Sequence, residues 1–166
     1  FDALCRAIIG QQLSTKAAAT IARRFEAWAD EAGGLKPDLL LEATTSKLRS
    51  LGLSGQKATY ISALAEAWKN DADLHRLEQL EDKEVVQALT AVKGIGEWTA
   101  QMFLLFTLRR PDVFAPGDLG IKKAMERLYG LSMASSDRDL VAFSERWSPY
   151  RSLACRHLWK VLDAVD

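Results

Sequence analysis

The stretch Leu89-Thr-Ala-Val-Lys-Gly-Ile-Gly-Glu-Trp-Thr-Ala100 decides how the chain is read. Apolar residues at spacings of three and four run up to Val92 and resume after Gly96, which predicts two helices, 82–92 and 97–109, joined by a hairpin. Gly94 and Gly96 are both free to take positive φ, and neither carries a side chain that would keep a ligand off the backbone. The second helix is expected to point unsatisfied N–H groups outward, and those donors and the helix dipole favour a phosphate. Taken alone, the same pattern also describes a plain αα-hairpin whose glycines only cap a helix.

Outward from the hairpin, the three-and-four spacing continues almost throughout, with no sustained alternation and no run of β-branched residues, so the chain reads as all α. Further helices are expected at 2–10, 14–31, 37–43, 45–51, 55–70, 118–129, 136–147 and 149–165. Breaks fall at Gly33-Gly34, Gly52, Ser54-Gly55, Pro111, Pro116-Gly117 and Ser148-Pro149. Thr99 to Phe106 is apolar nearly all round, which predicts a helix buried on every side.

The 166 residues suffice for one core or for two small helical subdomains wrapped around a cleft. Hydrophobic residues make up 48% and charged residues 27%, the profile of a soluble globular chain. The longest apolar stretch, Met102 to Leu108, falls far short of the roughly 18 residues that cross a bilayer, and no signal peptide opens the chain. No membrane partner is expected, and the expected location is cytoplasmic or nuclear. With only two cysteines, Cys5 and Cys155, there is no disulfide framework, four-cysteine zinc site or cysteine-ligated iron–sulfur cluster. His75 and His157 have no ligand-spaced partners and are read as neither metal ligands nor catalytic groups. Net charge is zero, but its distribution is uneven: residues 71–85 hold six acids against two bases, whereas Arg146, Arg151, Arg156 and Lys160 occupy 146–160 with no acid.

A second motif, Asp112-Val-Phe-Ala-Pro-Gly-Asp-Leu-Gly-Ile-Lys-Lys123, begins about a dozen residues after the hairpin. Pro-Gly-Asp ahead of an amphipathic helix is ordinary capping chemistry, so Asp118 reads as an N-cap. A catalytic role is compatible with that, because a cap position orients the carboxylate and the helix dipole favours its charge.

Leu89, Val92, Ile95, Thr99 and Ala100 stand where the helix-hairpin-helix DNA-binding motif has its apolar and small residues, and the segment closely resembles it. Followed at this distance by a Gly/Pro-rich loop and an aspartate, it resembles the signature of the base-excision DNA glycosylase superfamily, with Asp118 at the catalytic position. A nearer resemblance, over essentially the whole chain, is to the 3-methyladenine DNA glycosylase II family. Arg6-Ala-Ile-Ile-Gly-Gln-Gln-Leu-Ser14 is similar to that family's first DNA-contacting loop, Gly52-Leu-Ser-Gly-Gln-Lys-Ala-Thr-Tyr-Ile61 to its second helix start, and Trp147-Ser-Pro-Tyr-Arg-Ser-Leu-Ala-Cys-Arg-His-Leu-Trp159 to its closing helix.

The resemblance implies an all-α fold of two helical subdomains around a DNA-binding cleft. Trp98, Met102 and Trp159 would line the pocket for an extruded base, and Gln12 or Leu13 would wedge the duplex. Lys93, Gly94, Ile95, Gly96 and Thr99 would hold DNA, with carbonyls of Thr90, Val92 and Ile95 available to a sodium or potassium ion. No other cofactor is expected. Arg151 and Ser152 are assigned to hold the last helix against the catalytic loop. Bifunctional members place a lysine two residues past the second glycine. Trp98 stands there, so no Schiff base can form and a monofunctional enzyme is implied. The expected partner is double-stranded DNA with damaged bases, bound by a monomer. Gly117 replaces a second acid common in the family, and Met102 replaces an aromatic. The chain begins at the catalytic domain, so the extra N-terminal domain of larger relatives is expected to be absent from this chain, either naturally or because the sequence starts here. The alternative is a non-catalytic helix-hairpin-helix protein that binds DNA or senses damage.

Overall fold

The computed structural model describes residues 1–163, and among them there are helices and turns but no strand. The helices are α1 Asp2–Gly10, α2 Thr15–Glu31, α3 Pro37–Glu42, α4 Thr45–Ser50, α5 Gly55–Asn70, α6 Asp82–Thr90, α7 Glu97–Met102, α8 Leu119–Tyr129, α9 Asp137–Ser144 and α10 Arg151–Asp163. The all-α expectation holds, with most boundaries within two residues; the expected end of the last helix, at 165, lies outside the described residues. The chain forms two compact units, Phe1–Thr99 and Ala100 onward.

The first unit is organised on α5, whose Ala58, Ile61, Leu64 and Ala65 are buried and against which α1, α3 and α4 pack. Its helix starts are set by short polar side chains. Ser14 accepts from the Ala17 N–H, Thr44 from that of Lys47 and Ser54 from that of Lys57, at 3.1–3.3 Å. Glu81 and Glu84 form a capping box that starts α6, immediately ahead of the hairpin. His75 takes a structural place, its Nε2 2.7 Å from the Trp68 carbonyl.

In the second unit α8 packs on α10, burying Ile121, Ala124, Met125, Cys155 and Leu158. The helix expected over 97–109 departs from the reading. It is α-helical only to Met102 and then widens into a π turn, Phe103–Thr107, closed by Leu108 N–H on the Phe103 carbonyl at 3.0 Å. Phe103, Leu104 and Leu105 are buried, but Phe106 is 52% exposed, so this helix is not enclosed on every side. The predicted helix 136–147 is likewise α9 followed by a 3-10 turn, Glu145–Trp147.

A capped aspartate and a glycine hairpin

Asp118 is the N-cap of α8, with φ −76 and ψ 122. Its Oδ1 accepts from the Ile121 N–H at 2.8 Å and from the Trp159 indole N–H at 2.9 Å. The residue is 9% exposed. The orientation of this capping carboxylate is therefore set by a donor on its own helix and a second on α10. Gly120 makes room for this. A Cβ there would lie 3.0 Å from Trp159 Cδ1 and 3.1 Å from Asp118 Oδ1. Gly117, just before the aspartate, borders open space.

The loop carrying Asp118 is tied to the start of α10. Arg151 donates to Asp112 through Nε at 2.7 Å and Nη2 at 2.8 Å, and its backbone N–H adds a third bond at 3.1 Å. The guanidinium holds the Asp112 carboxyl down at about 2. Ser152 Oγ donates to the Arg110 carbonyl at 2.6 Å and accepts from the Val113 N–H at 2.9 Å. Arg151 and Ser152 thus fill the structural roles expected of them. Cys155, whose thiol is pushed up to about 11 by burial, and Cys5, pushed up to about 12, are protonated core side chains and not nucleophiles.

Of the predicted pocket residues in this unit, Met102 is half-buried and Trp159 places its indole edge on Asp118. The Trp159 ring stacks on Phe106, centroids 5.7 Å apart and planes at 26°. Sequence reasoning passed over Phe106 because it stood inside a segment expected to be wholly buried. Its only signal was an aromatic at the end of an apolar run.

The hairpin belongs to the first unit, where Gly94 adopts φ +96. A Cβ at Gly94 would meet the Tyr60 ring at 2.2 Å, so the backbone lies directly on that ring, and only glycine fits. The expectation of positive φ applies to Gly94 alone. Gly96 has none, and the space where its Cβ would stand is open. Lys93, Gly96 and Trp98 are exposed, whereas Ile95 and Thr99 are buried supports. The Val92 carbonyl accepts the Ile95 N–H at 3.1 Å, one bond to an oxygen with two lone pairs.

Behind the hairpin the first loop is anchored. Gln11 Nε2 donates to the Gly94 carbonyl at 2.8 Å, and Lys57 Nζ to that of Ile9 at 2.7 Å. Burial lowers the Lys57 pKa. The neighbours Gln12 and Leu13 are both exposed, and Gln12 has φ 56, an uncommon conformation for a residue with a side chain. Gln11 was the residue missed here, since Gln11-Gln12 carries no mark of which side chain turns inward.

Residues 5–149 match the family described as HhH-GPD superfamily base excision DNA repair protein. DNA-3-methyladenine glycosylase 1 of Schizosaccharomyces pombe is 31% identical over 100% of this chain and 74% of its own length. A crystal structure of a DNA-3-methyladenine glycosidase from Bacillus halodurans superposes with a TM-score of 0.83 at 38% identity, covering 96% of this chain and 73% of that one. An S. pombe 3-methyladenine DNA glycosylase in complex with abasic DNA gives a TM-score of 0.83 at 32% identity, covering 96% and 78%. The chain belongs to the HhH-GPD superfamily of base excision DNA repair proteins, within its 3-methyladenine glycosylase branch.

Proposed function

We propose that the chain is a monofunctional DNA glycosylase that flips alkylated bases out of duplex DNA and hydrolyses their N-glycosidic bond, with Asp118 as the catalytic carboxylate. The observation that carries the reading is Asp118 Oδ1, fixed by the Ile121 amide and the Trp159 indole in a loop braced by Arg151 and Ser152. Glycosidic cleavage passes through an oxocarbenium-like sugar, which an anion held beside C1′ stabilises and an aimed water then captures. One oriented carboxylate can do both. Flipping costs a few kcal/mol and favours lesions that already weaken pairing or stacking. N3- and N7-methylpurines carry a positive charge, which attracts the faces of Trp159 and Phe106 by stacking and cation–π interaction, and which also makes the base a good leaving group. Met102 adds an adaptable thioether, in keeping with acceptance of several alkylated bases.

The hairpin backbone at Gly94–Gly96, with Lys93 beside it, serves as a phosphate anchor that positions without reading sequence. A monovalent cation held by carbonyls of Thr90, Val92 and Ile95 would add positive charge there. Gln12 and Leu13, exposed on the loop pinned by Gln11, supply the wedge. Trp98 occupies the place of the lysine that forms a Schiff base, so the strand stays intact until alkali is added.

The test is single-turnover release of a methylated purine from a defined duplex by wild type and Asp118→Asn. The variant keeps the cap but loses the charge, about 3 kcal/mol of transition-state stabilisation, so release should slow at least roughly a hundredfold while damaged duplex is still bound. Release within about tenfold of wild type by a folded variant would reduce Asp118 to a helix cap. Borohydride trapping of an enzyme–DNA adduct would overturn the monofunctional assignment.

A further inference from the structure

Of the residues lining a groove of about 520 Å³ in the second unit, only Phe106 takes a direct part in this chemistry. The groove runs between the π turn with the segment after it and the start of α10. Phe106, Tyr150 and Leu153 form its apolar part, Arg109, Arg110 and Arg156 its charged part, and no carboxylate lines it. Arg6, Arg76 and Arg151 each pair with an acid, whereas Arg109 and Arg156 are exposed and have no hydrogen-bond or ion-pair partner among the described residues.

The backbone is shaped to present these side chains. Arg109 has φ 55 and ends the π turn, with the Arg110 N–H closing onto the Leu104 carbonyl at 3.0 Å. That left-handed position is normally given to glycine or asparagine, and holding a longer side chain there stores strain of the kind found at binding sites. The same turn rolls Phe106 outward, where it lines the groove and stacks on Trp159, the donor to Asp118. Phe106 is therefore a wall shared by the arginine groove and the carboxylate site.

Guanidinium forks beside exposed aromatic faces suit a phosphate attached to a planar base, since arginine recognises the phosphate and the rings accept stacking. We infer that this groove binds a phosphate-bearing nucleotide, supplied by the DNA strand next to the nucleotide whose sugar faces Asp118. The strand as the source rests on the glycosylase reading. The phosphate site itself does not.

The experiment compares the full chain with the double variant Arg109→Gln, Arg156→Gln, and with a charge-matched control, Arg127→Gln, Arg138→Gln, exposed elsewhere on the same unit. Thermal melts confirm that all are folded. Binding of a duplex with a central tetrahydrofuran abasic analogue is titrated from 50 to 200 mM salt, and binding of dAMP and inorganic phosphate is followed by NMR. The groove variant should lose about tenfold in duplex affinity and between one and two units of log–log salt slope, with the control unchanged. Loss of dAMP or phosphate binding without loss for the duplex supports the site and assigns it to a free nucleotide instead. Unchanged binding in both arms, or an equal loss in the control, overturns the inference. A wild type that releases base normally alongside an unaffected groove variant sinks the groove alone. A wild type that binds nucleotide in the groove yet releases no base sinks the glycosylase reading alone.

Discussion

Asp112 and Asp118 lie in one loop of one unit and are held in opposite ways. Asp112 is met by a guanidinium on both oxygens, with a backbone N–H and the Ser148 hydroxyl added. Asp118 is met at Oδ1 by an amide and an indole, two donors without charge. A guanidinium cancels much of the field of the carboxylate it binds, whereas a neutral N–H group orients a carboxylate oxygen without bringing an opposite charge to it. The first arrangement suits a brace and the second a reacting site.

Loss of charge at the two positions should not have the same effect. Asp112→Asn should cost about 2 kcal/mol of stability through lost charge-assisted bonds, lowering the melting midpoint by roughly 5 °C, while base release by the folded fraction stays near wild type. Its pH dependence has a definite sign. The folded-state pKa of Asp112 is held at about 2, below the ordinary value of 3.8, so the stabilisation is present in full above pH 4 and is lost as pH falls toward 2. The stability gap between wild type and Asp112→Asn should thus be constant above pH 4 and close below it, as followed by urea melts at a series of pH values. A constant gap down to pH 2 would mean that Arg151 is not what holds the loop.

The two placements were unequally legible. Asp118 as an N-cap was readable because capping leaves a local signature, Pro-Gly-Asp before an amphipathic helix. Arg151 and Ser152 were assigned to the brace by resemblance, but Asp112 as the partner of Arg151 was not named, since nothing local pairs residues 39 apart. Helix existence was carried by periodicity throughout. The π turn was not, because the switch to five-residue hydrogen bonding at Phe103 changes backbone register without changing composition, and Phe106 within it stands at the surface. Gly94 shows the same limit. That a glycine was needed was visible, but that Tyr60 presses on it from another helix was not.

The comparison sharpens if the Trp159 indole bond is what orients Asp118. Trp159→Phe keeps an aromatic to stack on Phe106 and removes the N–H that reaches Asp118 Oδ1. Release of a methylated purine should fall about tenfold, the loss of one hydrogen bond to a charged group, while affinity for an abasic duplex changes little. A loss of affinity for the duplex carrying the methylated purine, with an unchanged single-turnover rate and unchanged abasic-duplex affinity, would instead assign Trp159 to base binding alone.

The smallest expected effect separates geometry from stability most cleanly. Gly120 is the second residue of α8, and alanine there would ordinarily favour the helix by up to about 1 kcal/mol. Its Cβ, however, would lie 3.0 Å from Trp159 Cδ1 and 3.1 Å from Asp118 Oδ1, tighter than ordinary contact, so the indole must shift by a few tenths of an ångström. That lengthens the 2.9 Å bond without deleting either partner. Gly120→Ala should therefore melt at or slightly above the wild-type midpoint and release base about threefold more slowly, because misplacing a catalytic group costs rate even where the fold gains. Single-turnover rates and melts on the same preparations decide it. A variant as fast as wild type would show that Asp118 tolerates displacement of its indole partner.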